Sequence, residues 1–492
     1  MTTEYDFSTL PDVVWVDVLT RLSIGERSRI ALVCRRLNDV FNHPSVWHTV
    51  DVNLIGTLPT GPPRARRPAG YREPAVVAPD RYVALIRRFG AYFQDVRLTV
   101  RGVVCELDES CREVLEQLAS CRLEKLTLKV GEGTVQRKMP SPAADSTLLA
   151  LIKQARRLRA LDIRSWPVSD ADPSSCDIIA CLRDNDSLRR LDRLNLFCRD
   201  PSEDSWVPLT TCLPASDSVV GLLAVQLVAL TSLFLHSTLL TTKLVDVLCQ
   251  HRRVPLSRLG IMVVYGRGSA VGYDAKFPRI QDSTWKKLRE SNPAVGVELT
   301  FCNTIPSYEL MSLLSAEVPV TSVAFMKYSS YKQDVLTCLA ANYHCTLAKF
   351  ADYGDTESGK EADELCSMVS RCANLCSLVY HGAVRHNTVM DLAAVRGSSW
   401  NRLEVNVRWT LDDGRSDDEV LCLQPETGRY TIAAHLPGSV FYHDAASDQQ
   451  LAALYQSLCE RVSDIVGYKW QPLNKPTFDG SQRKISDNRP TV

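Results

Sequence analysis

One short pattern of apolar positions, apolar-x-x-apolar-x-apolar, dominates the chain and is typical of a strand buried on one face. A clear example is Leu123-Leu126-Leu128, and about eleven such segments follow one another. They begin at Phe93, Leu123, Leu158, Leu191, Leu230, Leu256, Ala294, Val320, Leu347, Leu375 and Trp400. This recurrence predicts a repeat protein in which every repeat contributes one strand.

The stretches between these strands show helical spacing of apolar residues. The predicted helices are 111–120, 145–155, 242–250, 282–290, 308–314, 333–341, 360–371 and 389–395. One strand and one helix have no core of their own, so neighbouring pairs must stack into a solenoid. Successive strands are about 25 to 39 residues apart, longer than a regular leucine-rich repeat of about 20 to 29. We interpret the excess as loop insertions.

The first fifty residues have a different, helical pattern. Pro11 stands at a first-turn position before apolar residues with helical spacing. Ser23 and Glu26 have the spacing of a capping box, which predicts the start of a second helix that continues to Phe41. A helical unit of this size buries little surface by itself, so its apolar face predicts a partner.

Composition excludes several classes of function. Lys and Arg number 57, as do Asp and Glu, so the formal net charge is zero and no global field attracts nucleic acid or an anionic membrane. No apolar run is long enough to span a bilayer, and the first ten residues lack the features of a secretory signal. The cysteines number 17, an odd count that favours reduced thiols inside the cell. We therefore expect a cytoplasmic or nuclear protein, or one found in both compartments.

The N-terminal residues resemble the F-box. The likeness rests on Leu10-Pro11, Val18-Leu19, Leu22, Val33-Cys34-Arg35 and Trp47 in this order. Val13 and Leu37 depart from the common pattern, but both keep an apolar side chain. Later details such as His381-Gly382 resemble the F-box only subgroup of the family.

The resemblance implies an assembly and a role. An F-box docks on the adaptor Skp1 and through it on cullin-1 and a RING protein, while the repeat domain selects protein substrates for ubiquitination and proteasomal degradation. The chain would then be a non-catalytic adapter without a cofactor. The residues implied to contact Skp1 are Leu10, Pro11, Val14, Val18, Leu19, Leu22, Ile30, Val33, Cys34, Leu37 and Trp47.

The predicted fold class is α/β. A three-helix F-box would precede an irregular leucine-rich-repeat solenoid with a parallel sheet on its concave face. The predicted domains are the F-box at 1–55, a Pro- and Arg-rich linker at 56–80, the repeat domain at 81–473 and a polar tail at 474–492. A doubly wound nucleotide-binding domain is the alternative, but no Gly-rich phosphate loop follows an early strand.

The residues between the apolar strand positions point to the opposite sheet face and predict a substrate surface. Its early strands are basic and its later ones more apolar, which suggests an acidic or phosphorylated segment beside an apolar anchor. The candidates are Arg97, Arg101, Lys125, Lys129, Arg164, Phe234, Met262, Met326 and Tyr353. The alternative is that these charges only keep the sheet soluble.

No familiar catalytic or metal-binding motif stands out. Cys366, Cys372, Cys376, His381 and His386 are near one another in sequence but lack paired C-x-x-C spacing, so we interpret the cysteines as buried thiols. Two other functions remain open beside the ligase adapter. One is a non-catalytic repeat scaffold whose N-terminal helices cap the solenoid, and the other is an enzyme on an α/β domain.

Overall fold

The computed structural model describes most of the chain. The described residues are 10–55, 78–101, 109–132, 145–165, 177–196, 198, 216–264, 280–302, 305–326, 329, 331, 333–354, 362–408, 420–423, 430–433 and 445–472. They fall into two compact units, 1–263 with 267–296, and 264–266 with 297–492. The predicted tail and all of the predicted linker before residue 78 lie outside the described residues.

The first unit begins with three short helices. They are α1 (Asp12–Thr20), α2 (Ile24–Ala31) and α3 (Arg35–Phe41), followed by a 3₁₀ turn over Pro44–Trp47. The capping box is confirmed, because Ser23 N donates to Glu26 Oε2 at 2.9 Å and Glu26 N donates to Ser23 Oγ at 3.4 Å. The single helix expected beyond Ser23 is wrong. The backbone of Cys34 is extended and divides this segment into α2 and α3.

Strands and helices then alternate through the rest of the first unit. The elements are β1 (Thr49–Ile55), α4 (Pro79–Phe89), β2 (Asp95–Arg101), α5 (Glu109–Ala119), β3 (Lys125–Glu132), α6 (Asp145–Gln154), β4 (Ala160–Ser165), α7 (Asp177–Arg183), β5 (Arg193–Leu196), α8 (Ser216–Val225), β6 (Ser232–His236), α9 (Thr242–Leu248), β7 (Arg258–Val264) and α10 (Asp282–Ser291). Strands β1 to β7 pair in parallel and in chain order.

The second unit repeats this arrangement and ends differently. Its elements are β8 (Gly296–Cys302), α11 (Ser307–Leu313), β9 (Val320–Phe325), α12 (Gln333–Asn342), β10 (Lys349–Asp352), α13 (Ala362–Arg371), β11 (Ser377–Arg385), α14 (His386–Arg396), β12 (Arg402–Arg408), β13 (Val420–Leu423), β14 (Tyr430–Ala433) and α15 (Ala445–Val466). Strands β8 to β12 are parallel in chain order, whereas β13 and β14 form an antiparallel pair.

The apolar pattern predicts the core correctly. Val96, Leu98, Leu126 and Leu128 on β2 and β3 are at most 1% exposed. Every predicted strand forms, from β2 to β12, and each unit has the parallel order of a repeat solenoid. Strand β1 was not predicted, because it directly follows the helical segment and precedes the proline-rich stretch.

Polar side chains connect successive repeats of the first unit. Asn185 Nδ2 donates to Ile152 O at 2.9 Å, and Gln226 Nε2 donates to Asn185 O at 3.0 Å. Arg253 continues the series with bonds to Leu223 O and Leu227 O. Asn292 Nδ2 donates to Leu248 O at 3.3 Å, while its Oδ1 accepts from Leu256 N at 2.6 Å. We call Asn185, Gln226, Arg253 and Asn292, and their counterparts in the second unit, the repeat clamps.

The second unit has its own repeat clamps. Asn342 Nδ2 donates to Leu314 O at 2.8 Å, and Asn374 Nδ2 donates to Cys345 O. Arg396 donates to Val369 O at 2.7 Å and also to Cys372 O. In each case a donor satisfies carbonyl groups at or just beyond the end of the preceding repeat's helix, where the helix itself provides no donor.

Removal of a repeat clamp should lower the free energy of unfolding. Asn292 is 2% exposed and bonds to three backbone groups, so Asn292→Ala leaves buried polar groups without partners. We expect a loss of about 1 to 3 kcal/mol and a lower thermal midpoint for the full chain. Glu290→Ala, an exposed change at the end of α10 just before Asn292, is the control and should leave the thermal midpoint nearly unchanged. Equal thermal midpoints for the two variants would contradict the stabilising role of Asn292.

Candidate functional site

The N-terminal helices leave several apolar side chains uncovered. Val13 is 71% exposed, Leu32 is 86% exposed and Val33 is 72% exposed. Arg36 on α3 donates to Asp12 Oδ1 at 2.9 Å, which brings the start of α1 close to the segment that contains Leu32 and Val33. Large apolar side chains so close together at a surface are typical of an interaction site. The N-terminal apolar surface consists of Pro11, Val13, Val14, Leu32, Val33 and Cys34.

The residues implied to contact Skp1 fall into three groups. Pro11, Val14, Val33 and Cys34 are exposed. The half-buried group contains Leu10, Val18, Leu22, Ile30 and Leu37. The third group is Leu19 and Trp47, each 0% exposed. Leu19 and Trp47 therefore support the helices from inside and do not present a surface to a partner. Val13 and Leu32 are also exposed and apolar, but the F-box resemblance did not place them among the Skp1 contacts.

Trp47 is buried because it joins the helices to the first repeat. Its indole Nε1 donates to Phe41 O at 2.7 Å, and its ring stacks on Phe89 of α4 with centroids 4.4 Å apart. Phe41 meets the same indole edge-on at 4.9 Å. Aromatic contacts of this kind contribute about 0.5 to 1.5 kcal/mol each beyond the area they bury. The helices and the first repeat thus share one core.

Arg27 reinforces this junction from α2. It is 4% exposed, and its guanidinium group donates to Leu22 O at 2.8 Å, Val46 O at 2.7 Å and Thr20 O at 2.9 Å. A fourth bond of 3.2 Å reaches Thr49 O, the first residue of β1. Burial lowers the pKa of Arg27, but a guanidinium group stays protonated in proteins. One side chain therefore holds α1, the 3₁₀ turn and β1 together.

The early strands of the sheet are less basic than their sequence suggests. On the outer sheet face, formed by the strand side chains that alternate with the buried ones, acidic residues accompany the basic ones. Lys125 Nζ lies 2.7 Å from Asp95 Oδ2 across the β2–β3 pair. The outer sheet face of β1 to β4 is therefore mixed in charge, which corrects the expectation of a basic face.

Two further ion pairs on this face involve Arg97 and Arg164. Arg97 Nε lies 3.9 Å from Asp51 Oδ1, and Arg164 Nε lies 3.2 Å from Asp162 Oδ2. Lys129 is half-buried, and the side chain of Arg101 lies outside the described residues. The carboxylates beside Arg97, Lys125 and Arg164 reduce the attraction of these three cations for a second anion.

The predicted apolar candidates are also unevenly placed. Phe234 is half-buried, whereas Met262 is 1% exposed and unavailable to a substrate. In the second unit Met326 and Tyr353 are half-buried, and the Tyr353 ring meets His381 edge-on at 5.2 Å. In the first unit His236, the register partner of Met262, is buried, which lowers its pKa to about 4 and leaves it neutral at pH 7.

The thiols of the described residues are free, and most are buried or half-buried. Burial raises the pKa of Cys121, Cys181, Cys366 and Cys372 to about 11, the opposite of the lowered pKa of a nucleophilic cysteine. Within the described ranges, no three His, Cys, Asp or Glu side chains converge as metal ligands would. Nor does any helix there have the length and apolar character needed to cross a membrane.

Comparison with known proteins agrees with the N-terminal architecture. Residues 7–53 match the F-box-like family model, which includes α1, α2, α3 and the buried Trp47. The N-terminal segment is therefore an F-box-like domain, and the chain is an F-box protein in which both units contain strand–helix repeats with parallel strands.

Individual relatives extend the similarity beyond this segment. The chain is 24% identical to F-box/LRR-repeat protein 21 of Mus musculus over 320 residues, which is 65% of each protein. It is 24% identical to F-box/LRR-repeat protein 21 of Ovis aries over 375 residues, 76% of each. F-box only protein 33 of Mus musculus is 23% identical over 205 residues, 39% of this chain and 36% of that protein. The predicted resemblance to the F-box only subgroup is thus confirmed, over a shorter stretch than the similarity to F-box/LRR-repeat protein 21.

The junction at Arg27 can be tested by substitution. The Arg27 guanidinium carbon lies 5.6 Å from the centroid of the Trp47 ring, so Arg27→Met keeps an apolar side chain there but leaves four carbonyl groups without their donor. We expect the free energy of opening α1 and β1 to fall by about 2 to 4 kcal/mol, measured by amide hydrogen exchange in the full chain. Arg29→Met, an exposed change on the same helix, should alter exchange little. Unchanged protection of β1 in Arg27→Met would show that the guanidinium group does not hold this junction.

Proposed function

We propose that this protein is the substrate-recognition component of a Skp1–cullin-1–F-box ubiquitin ligase. F-box domains generally bind Skp1 in such complexes, and the N-terminal apolar surface has the character of a docking site. The observation that carries the proposal is the exposure of Leu32 and Val33 between α2 and α3, which the described residues leave uncovered. Burial of two such side chains against a partner stabilises the complex by about 1.5 to 3 kcal/mol each.

In this role the protein acts as an adapter and not as a catalyst. Holding a substrate lysine near a charged conjugating enzyme accelerates transfer through proximity, without a reactive side chain in the adapter. The high pKa of the buried thiols supports this role over covalent ubiquitin transfer. The outer sheet face would receive the substrate, and the assembly would act inside the cell, in the cytoplasm, the nucleus or both.

The competing proposal is a repeat scaffold without a ligase role. The packing of Trp47 on Phe89 favours it in one respect, because the helices do cap the first repeat. A cap alone, however, has no need for exposed valine and leucine side chains. The two proposals differ in whether Skp1 binds, which a single copurification can decide.

The test uses the full chain co-expressed with Skp1. Val33→Glu places a carboxylate in the contact area, and we expect at least about a tenfold loss of bound Skp1 because an unpaired buried charge is costly. Val225→Glu is the matched control, since Val225 is 71% exposed and Val33 is 72% exposed. The control should retain Skp1. Equal copurification of Skp1 with both variants would contradict the docking surface. A wild-type chain that does not bind Skp1 would favour the scaffold.

A further inference from the structure

Three neighbouring strands, β5 to β7, bring an aromatic ring and two arginines together on the outer sheet face. The register aligns Arg193 with Ser232 and Ser232 with Arg258, and Phe234 follows two residues after Ser232. The guanidinium carbons of Arg193 and Arg258 lie 5.0 and 5.3 Å from the centroid of the Phe234 ring. Both distances allow a cation–π interaction. We call this group the arginine–phenylalanine cluster.

Gly260 determines where the ring lies. It is the register partner of Phe234 on β7, and a Cβ atom at this position would lie 2.0 Å from Cδ1 of the ring. The ring therefore rests against the backbone of β7, a position that no other residue at 260 permits. The Phe234 ring is therefore held by the sheet and not by a loop. Rigid aromatic and arginine side chains contribute much of the binding energy of protein interfaces.

The charge around Arg193 differs from that of the preceding strands. Arg97, Lys125 and Arg164 each have a carboxylate within 4 Å. The side chain of Arg193 has no ion pair or hydrogen bond among the residues that the structure describes, and its described contact is the Phe234 ring. An anionic group approaching β5 therefore meets a guanidinium group with its donors still available.

We infer that the arginine–phenylalanine cluster binds an acidic peptide segment of a protein partner. Arg193 would pair with a carboxylate or phosphate oxygen, and the Phe234 ring would cover an apolar neighbour of that residue. The inference rests on the proposed function, since it names the class of substrate segment that the repeat domain receives. It places the anionic site at Arg193 on β5, beside the predicted candidate Phe234, and not at Arg97, Lys125 or Arg164 on β2 to β4.

The surrounding face favours a peptide over nucleic acid. Arg97, Lys125 and Arg164 on the same outer sheet face are each paired with a carboxylate, so they offer little net positive charge to an extended phosphate backbone. A peptide can present one anionic residue to Arg193 and neutral residues elsewhere. The formal net charge of zero likewise provides no general attraction for a polyanion.

The test measures fluorescence anisotropy with the full chain, without Skp1. The probes are a labelled short peptide of neutral residues with one Glu next to a Leu, the same peptide with Gln for Glu, and one with phosphoserine for Glu. We expect the Glu or phosphoserine peptide to bind at least about tenfold more tightly than the Gln peptide. Which of the two binds better distinguishes a carboxylate from a phosphate source.

The variants connect this preference to the cluster. Arg193→Gln should remove the preference, about a tenfold loss, and Gly260→Ala should weaken binding by displacing the ring. Arg97→Gln, on the same face but already paired, should change affinity less than about twofold. Thermal midpoints and Skp1 copurification are measured for each variant, so that loss of folding or of the ligase role is separated from loss of this site.

Three results would overturn the inference. They are equal binding of the Glu, Gln and phosphoserine peptides to the wild-type chain, an unchanged preference in folded Arg193→Gln, and an Arg193-dependent preference for a single-stranded oligonucleotide over every peptide. None of these depends on Skp1 binding, which Val33→Glu tests separately. Retained Skp1 binding together with any of them would leave the ligase role intact and remove this site alone.

Discussion

The fold depends on the satisfaction of backbone carbonyl groups where one repeat meets the next. A short helix leaves its last carbonyls without donors, and stacking places these groups inside the protein, where an unmade hydrogen bond costs about 1 to 3 kcal/mol. Asn185, Gln226, Arg253 and Asn292 supply the missing donors in the first unit, and Asn342, Asn374 and Arg396 do so in the second. Apolar stacking alone would leave these carbonyl groups without hydrogen-bond donors.

The same principle operates at the start of the chain with greater consequence. Arg27 satisfies four carbonyl groups from three different segments, and Trp47 stacks on Phe89 of the first repeat. The F-box-like helices are therefore continuous with the first strand–helix pair and not a module on a flexible tether. The side chains that hold this junction point inward, which leaves Val13, Leu32 and Val33 on the surface. Internal packing and an external docking surface thus use different residues of one short motif.

Sequence reasoning succeeded where periodicity carries the information. Every strand from β2 to β12 lies where the apolar pattern predicts it, because alternate burial of Leu and Val follows directly from the pleat of a strand. It failed at β1, which follows Trp47 without a loop, and at the helix between Ser23 and Phe41, which the extended Cys34 divides. In both places the apolar spacing continues across a change in backbone conformation, so spacing alone cannot show the break.

The candidate surfaces show the same division. The kinds of residue present, the repeat architecture, the capping box and the F-box signature can all be derived from the amino-acid sequence, since each depends on local spacing. Which members of the signature face outward, which cations on the sheet meet a carboxylate, and which ring lies over Gly260 were decided by tertiary structure. The Lys125–Asp95 ion pair and the ring over Gly260 depend on the register between strands that are about 25 to 39 residues apart, and that register is a property of the stacked repeats and not of any single one.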